Sequence, residues 1–197
     1  AQKRVIRALR NVNLNIPKSG IVGVVGESGC GKSTLILSIM RLLASNATVT
    51  QGEVIFGGRN LLALTEPEMQ SVRGNEISMI FQDPLTSLNP VISIGKQLID
   101  VQHRDSVTRE TKKQRAIEAL SQVGIPDADA RMKAYPHQFS GGMRQRIAIA
   151  MTMIEQPTLL IADEPTTALD ATLEVQIIRE LKELQSQYQC SILFVSH

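Results

Sequence analysis

The strongest constraint on this chain lies between residues 21 and 33, where a β-branched apolar run gives way to a glycine-rich turn. Ile21–Val25 reads IVGVV, the pattern of a short strand buried on both faces of a parallel sheet. Gly26-Glu27-Ser28-Gly29-Cys30-Gly31-Lys32-Ser33 follows at once and fits G-x-x-x-x-G-K-[ST]. Glycines let the backbone wrap until its N–H groups converge on an anion, and a helix starting behind them adds its positive end. Lys32 then reaches the outer phosphates of a nucleotide such as ATP, and the Ser33 hydroxyl offers an oxygen to Mg2+. Thr34 completes the phosphate-binding stretch. At average residue usage the pattern arises by chance in about one chain in a hundred of this length. The strand before it and the helix after it are the context that gives it meaning.

Such a unit needs an open α/β sheet, and the remaining sequence supplies one. Short apolar runs at 77–81, 159–162 and 192–195 predict buried strands, each followed by a polar group: Gln82, Asp163, and Ser196 with His197. Ligands of open α/β sheets bind beyond the carboxyl ends of the strands, so four strand ends bring polar groups to one edge. Residues 4–16 and 52–56 alternate in part and predict further strands. Residues 34–43 are apolar on nearly all sides and predict a helix packed inside the domain.

From Pro84 to Gln156 strand signals vanish and helical spacing takes over. Ala116, Ile117, Leu120 and Val123 share one face of a helix that stops at Gly124 and Pro126. Met143, Ile147, Ala150, Met151 and Ile154 share a face of another, starting after Ser140 and ended by Pro157. Leu173, Ile177, Leu181 and Leu184 mark a later amphipathic helix. The expected organisation of the 197 residues is one domain: an α/β core over 1–83 and 157–197, interrupted by a helical subdomain over 84–156.

Composition narrows the function. With 43% apolar and 20% charged residues the chain folds rather than remaining disordered. No apolar run approaches the ~20 residues of a membrane span, and the start, with Lys3 and Arg4, lacks a signal-peptide pattern. A net charge of +2 and 3% aromatics argue against a nucleic-acid partner. Cys30 and Cys190 form neither a disulfide framework nor a metal site, which fits a reducing, cytosolic setting. Within the loop, Cys30 reads as a small residue that fits. The sharper alternative is a thiol whose alkylation blocks nucleotide binding.

The run Leu159-Leu160-Ile161-Ala162 ends in Asp163 and Glu164. Asp163 is positioned to hold Mg2+, directly or through water, and Glu164 to polarise a water for attack on the terminal phosphate. Capping of the following turn is the simpler alternative for the pair. Ser140-Gly141-Gly142-Met143-Arg144-Gln145 opens a helix with small residues, which makes either an anion site or plain capping.

In combination and in order, these motifs resemble the ATP-binding cassette (ABC) ATPases over essentially the whole chain. Ser140 to Gln145 resembles their signature motif, Gln82 the Q-loop glutamine, Ala168-Leu169-Asp170 the D-loop and His197 the switch histidine. GESGCGKSTL (26–35), MIFQDPLTSLNP (79–90), SGGMRQRIAIAM (140–151) and LLIADEPTTALD (159–170) are similar to the ATPase subunits of dipeptide, oligopeptide and nickel importers. The resemblance implies a P-loop NTPase (RecA-like) α/β core with a mostly parallel sheet, an N-terminal antiparallel β part and an inserted helical subdomain.

It also implies a mechanism. Two cassettes pair head to tail with ATP between them. The loop of one faces Ser140, Gly141, Gly142 and Met143 of the other, and Asp170 adds to the nucleotide site. Glu164 is implied as general base, His197 as contacting the γ-phosphate and the attacking water, and Lys32 as holding the phosphates. Gln82 is implied to sense nucleotide and to join Ser33 and Asp163 around Mg2+. Residues 83–90 would touch the coupling helices of a membrane permease. The implied partners are a second ATPase subunit, identical or different, the permease subunits and, indirectly, a solute-binding protein. The implied location is peripheral, on the cytoplasmic face of the bacterial inner membrane.

The sequence departs from the family in places. Residues 1–25 hold no aromatic where the family stacks one on adenine, so either it precedes Ala1 or adenine is held less well. Ile21 stands where Glu is common and Phe139 where Leu is common. The start without Met and the stop at His197 suggest a trimmed domain. Two other readings compete. A soluble ABC ATPase of DNA repair or translation would carry coiled-coil insertions or tandem cassettes. An ATP-gated module without turnover would be expected to lack one of Lys32, Gln82, Asp163, Glu164 or His197. His103 and His137 read as solvated or locally hydrogen-bonded, the basic residues between Arg104 and Arg115 as an exposed helix face, and the seven methionines as core filling.

Overall fold

The computed structural model describes residues 6–82, 87–166 and 171–196. Four strands form one parallel sheet in the order β1-β6-β5-β4: β1 (Ile21–Val25), β4 (Ile77–Ile80), β5 (Leu159–Asp163) and β6 (Ser191–Ser196). The register pairs Val24 with Val195, Asp163 with Val195, and Ile80 with Ala162. All four carboxyl ends therefore share one edge of the sheet, as the apolar runs predicted. A separate antiparallel ribbon pairs β2 (Ile55–Phe56) with β3 (Arg59–Asn60).

The interiors of β4, β5 and β6 are apolar because both faces are covered. Successive residues of β5 alternate between two cores. Leu159 and Ile161 pack with Ile36, Leu61, Met69, Ile77, Leu193 and Val195. Leu160 and Ala162 pack with Ile80, Leu120, Ile147, Ile177 and Leu181. The first core lies under α1 (Lys32–Ile39) and α2 (Glu66–Val72). The second joins the sheet to α3 (Ile94–Val101), α4 (Arg109–Gln122), the short α5 (Ala128–Arg131), α6 (Gly141–Met153) and α7 (Ala171–Tyr188).

Three expectations are corrected. β1, read as buried on both faces, stands at the end of the strand order with Ile21 45% and Val25 73% exposed, so only one of its faces is covered. Residues 6–16 form no strand. Several of their alternating apolar side chains find no cover, with Ile6 82% and Val12 50% exposed and only Leu9 and Ile16 partly buried, so the ladder that alternation anticipates has little buried face to reward it. The helix expected over 34–43 is α1, which ends at Ile39. Arg41 is in the left-handed region (φ 51°) and its guanidinium donates to the carbonyls of Leu61 and Leu64.

Arg104 and Arg115 are exposed, as expected, and each has partners at the surface. Arg104 donates to the carbonyls of Gln70, Ser71 and Arg73 at the end of α2. Arg115 pairs with Asp105. His103 bonds locally to the Val101 carbonyl, and His137 stacks on Tyr135.

Candidate active site

The loop after β1 is shaped by two glycines in the left-handed region, Gly29 (φ 81°) and Gly31 (φ 105°). At Gly31 a side chain has no room as well: a Cβ would sit 3.1 Å from the Ala8 carbonyl oxygen and 3.1 Å from Leu9 Cδ2. The N-terminal segment, although not a strand, thus backs the loop. Gly31 is the N-cap of α1, and no side chain caps that helix. The first amides of α1 are left for an external acceptor, which makes this end an anion site.

Lys32, only 7% exposed, folds its ammonium back into the loop, donating to the carbonyls of Gly26 (2.5 Å) and Glu27 (3.0 Å). Its Nζ also lies 3.8 Å from Glu164 Oε1. Glu164 in turn accepts a hydrogen bond from Gln82 Nε2 at 2.8 Å. Residues read from three separate strand ends, those of β1, β4 and β5, thus meet around one carboxylate that is 8% exposed.

Glu164 is held by its backbone too. Its φ of 47° is left-handed, costing about 1 kcal/mol or more for a residue with a side chain, and its N–H donates to the Val195 carbonyl at 3.0 Å. That anchor on β6 has no counterpart in the motif reading: a backbone acceptor leaves no mark in residue identity.

Asp163 closes β5 beside Glu164. Burial and the neighbouring Glu164 charge raise its pKa, while the Ser33 hydroxyl and Lys32 pull it down. Its Oδ1 is buried with no hydrogen-bond partner. A buried, unpartnered carboxylate oxygen beside a serine hydroxyl is a fitting donor set for a hard divalent cation.

Ser140, Gly141, Gly142 and Met143 stand apart from this cluster. Ser140 caps α6, its Oγ accepting from the Met143 N–H at 3.3 Å, so the simple capping role is present. A Cβ on Gly141 would meet nothing within 4 Å, so the backbone at this helix start is open to an approaching group. Cys30 is exposed, and its Sγ would lie 2.8 Å from a Cβ on Gly26. Asp170 and His197 lie outside the described residues, as does the stretch 83–86.

Comparison with known proteins decides the family. A profile of the ABC transporter family matches residues 9–167, from the segment behind the loop to just past Glu164. The chain belongs to the ABC transporter family. This ABC chain is 50% identical over 194 residues to the dipeptide transport ATP-binding protein DppD of Lactococcus lactis subsp. cremoris (strain MG1363), covering 98% of this chain and 56% of that protein. It is 48% identical to the oligopeptide transport ATP-binding protein OppD of Bacillus subtilis (strain 168), covering 98% of this chain and 54% of that one. The chain thus spans little more than half the length of these relatives.

Among solved structures it resembles the dimeric MJ0796, a bacterial ABC transporter cassette, with a TM-score of 0.85 and 30% identity over all of this chain and 83% of that one. The same cassette in a post-hydrolysis dimer bound to ADP and Pi gives a TM-score of 0.84 at 30% identity. The α/β P-loop fold expected from the sequence is the fold of these ABC cassettes.

Proposed function

We propose that this chain is the ATP-binding and hydrolysing cassette of an importer for peptides or a related small solute, working as one of two cassettes beneath a membrane permease. The observation that carries the reading is the junction of Lys32, Gln82 and Glu164 at the shared edge of the parallel sheet, beside the uncapped start of α1. The substrate class rests on the identity to the dipeptide and oligopeptide transport proteins. No helix among the described residues is long and apolar enough to cross a membrane, so attachment would come through the permease. The division into a core (1–83 and 157–197) and a helical subdomain (84–156) belongs to the same proposal.

In this mechanism the triphosphate enters the loop and takes the free amides at the start of α1. Lys32 leaves the Gly26 and Glu27 carbonyls and turns its ammonium to the β- and γ-phosphate oxygens, a charge-assisted exchange. The departure of Lys32 also removes an ammonium that lay 3.8 Å from Glu164 Oε1. Glu164, still aligned by Gln82 and by its anchor on Val195, then accepts a proton from the attacking water. Mg2+, held by Ser33, Asp163 and Gln82, would neutralise charge on the phosphates when bound.

Ser140, Gly141, Gly142, Met143 and Asp170 would complete the site of the opposing cassette, and His197 would contact the γ-phosphate. A solute-binding protein would act only indirectly. The Glu164→Gln variant tests the chemistry: it should keep ATP binding and lose phosphate release by a factor of about a hundred or more. Unchanged turnover would remove Glu164 as the base.

A further inference from the structure

We propose that Gln145 is a positioning residue: in the ATP-bound pair its side-chain amide closes on the free edge of β4, joining the helix that starts after Ser140 to the strand that delivers Gln82. The proposal rests on the paired-cassette reading above and adds to it a residue that touches neither nucleotide nor attacking water.

Gln145 lies one turn into α6 and is 1% exposed, yet neither its Oε1 nor its Nε2 has a hydrogen-bond partner. A buried amide left unmet at both ends is costly and rare in folded proteins. Gln102, equally buried, is anchored at one end, its Nε2 donating to the carbonyls of Leu98 and Lys112 at 2.9 Å each. Along α6 the buried neighbours Ile147, Ile149 and Met153 are apolar and their side chains offer Gln145 nothing. An amide with both ends open matches the groups of one backbone residue, an N–H and a C=O.

β4 holds such a residue. It ends the strand order, so one of its edges has no neighbouring strand. Ile77 stands beside Leu159, whose N–H donates to the Glu76 carbonyl. In a parallel ladder of that register Ser78 and Ile80 turn their backbone groups to β5, while Ile77 and Met79 turn theirs outward. The Ile77 carbonyl is met there by the Gly74 N–H at 2.8 Å. Met79 is 9% exposed, and among the described residues no hydrogen bond reaches its outward N–H and C=O. α6 packs against β4, with Ile147 and Ile149 in the same core as Ile80. Two unmet sets of groups, matched in kind, therefore belong to the two elements of one contact. Met79 precedes Gln82 by three residues and Gln145 follows Ser140 by five. A shift of α6 that pairs them fixes the start of the helix relative to the residue that aligns Glu164. The bond is not made in this arrangement, so its stabilisation is left for the ATP-bound one.

Gln145→Met keeps the length of the side chain and deletes both polar atoms. It should raise Tm by about 2–4 °C, whereas Gln102→Met, which breaks two bonds, should lower it by a similar amount. In the Glu164→Gln background, light scattering should show Gln145→Met raising the ATP concentration for half-dimerisation at least about tenfold, with ADP affinity changed less than about twofold. Exchange of the Met79 amide proton should slow at least about tenfold when Mg-ATP is added to Glu164→Gln, and should not slow when Gln145→Met is present. A lowered Tm for Gln145→Met, an unchanged half-dimerisation, or a Met79 amide that ATP does not protect would each overturn the proposal. A Glu164→Gln protein that binds ATP and stays monomeric would instead refute the paired-cassette reading, and the proposal with it.

Discussion

The two left-handed glycines of the loop set up a matched experiment on what shapes it. Gly29 (φ 81°) has open space where a Cβ would go, whereas Gly31 (φ 105°) faces the Ala8 carbonyl and Leu9 at 3.1 Å. Gly29→Ala meets only the backbone penalty for a left-handed residue, about 1–2 kcal/mol. Gly31→Ala meets that penalty and a contact with a backbone oxygen that has no rotamer to escape into. Overpacking of that kind adds roughly 1–3 kcal/mol. The expected losses in urea unfolding are therefore about 1–2 kcal/mol for Gly29→Ala and about 2–5 for Gly31→Ala. In a chain this size the extra cost lowers Tm by about 3–9 °C. ATP affinity should fall in both variants, more in Gly31→Ala, because displaced loop amides no longer converge on the phosphates. Equal stability losses, or a larger one at Gly29, would refute the claim that residues 8 and 9 back the loop.

Further predictions concern single side chains. Lys32→Ala should weaken ATP binding by about ten- to a hundredfold in a fluorescence titration, the worth of one hydrogen bond to a charged group; parental affinity would remove Lys32 from the phosphates. Arg146 Nη2 lies 2.7 Å from Glu180 Oε1, both side chains mostly buried, and Glu180 Oε2 has no partner. Arg146→Met should cost about 3–5 kcal/mol of unfolding free energy, and adding Glu180→Gln should restore part of it; additive losses in that cycle would deny the coupling. Glu155, whose pKa lies above its ordinary 4.5, keeps its proton in the native state at pH values where the unfolded chain has lost it. Its contribution is thus complete below about pH 4.5 and declines as pH rises through the native value. Glu155→Gln should therefore gain on the parent as pH rises, by about 1 kcal/mol at pH 8. Parallel stability curves for the two proteins would contradict this.

Much of the fold was legible because its signals are local. Four apolar runs, each ending in a glycine or a polar group, marked the strands of the parallel sheet, and Ser140 and Pro157 framed α6. The segment 6–16 misled because alternation marks a strand only where a partner and a buried face exist. The short α2 went unread although Thr65 and Glu68 form a capping box around its start, since seven residues carry too little periodicity to stand out. Arg104 is exposed as its sequence context predicts, but its three carbonyl acceptors lie more than 30 residues earlier, and composition does not encode them.

The site divides the same way. The residue types at the strand ends were readable, and with them the roles proposed for Lys32, Asp163 and Glu164. That Gln82 and Lys32 would converge on Glu164, and that Glu164 would take a left-handed backbone held by Val195, depends on the strand order β1-β6-β5-β4. Such pairing brings together residues far apart in sequence, and no motif records it.

Light scattering of the Glu164→Gln protein, with and without Mg-ATP, tests most directly whether two such chains share each nucleotide. The expected result is a monomer alone and a dimer of twice the mass once ATP is bound and cannot be turned over. A protein that binds ATP to saturation and remains a monomer would contradict it.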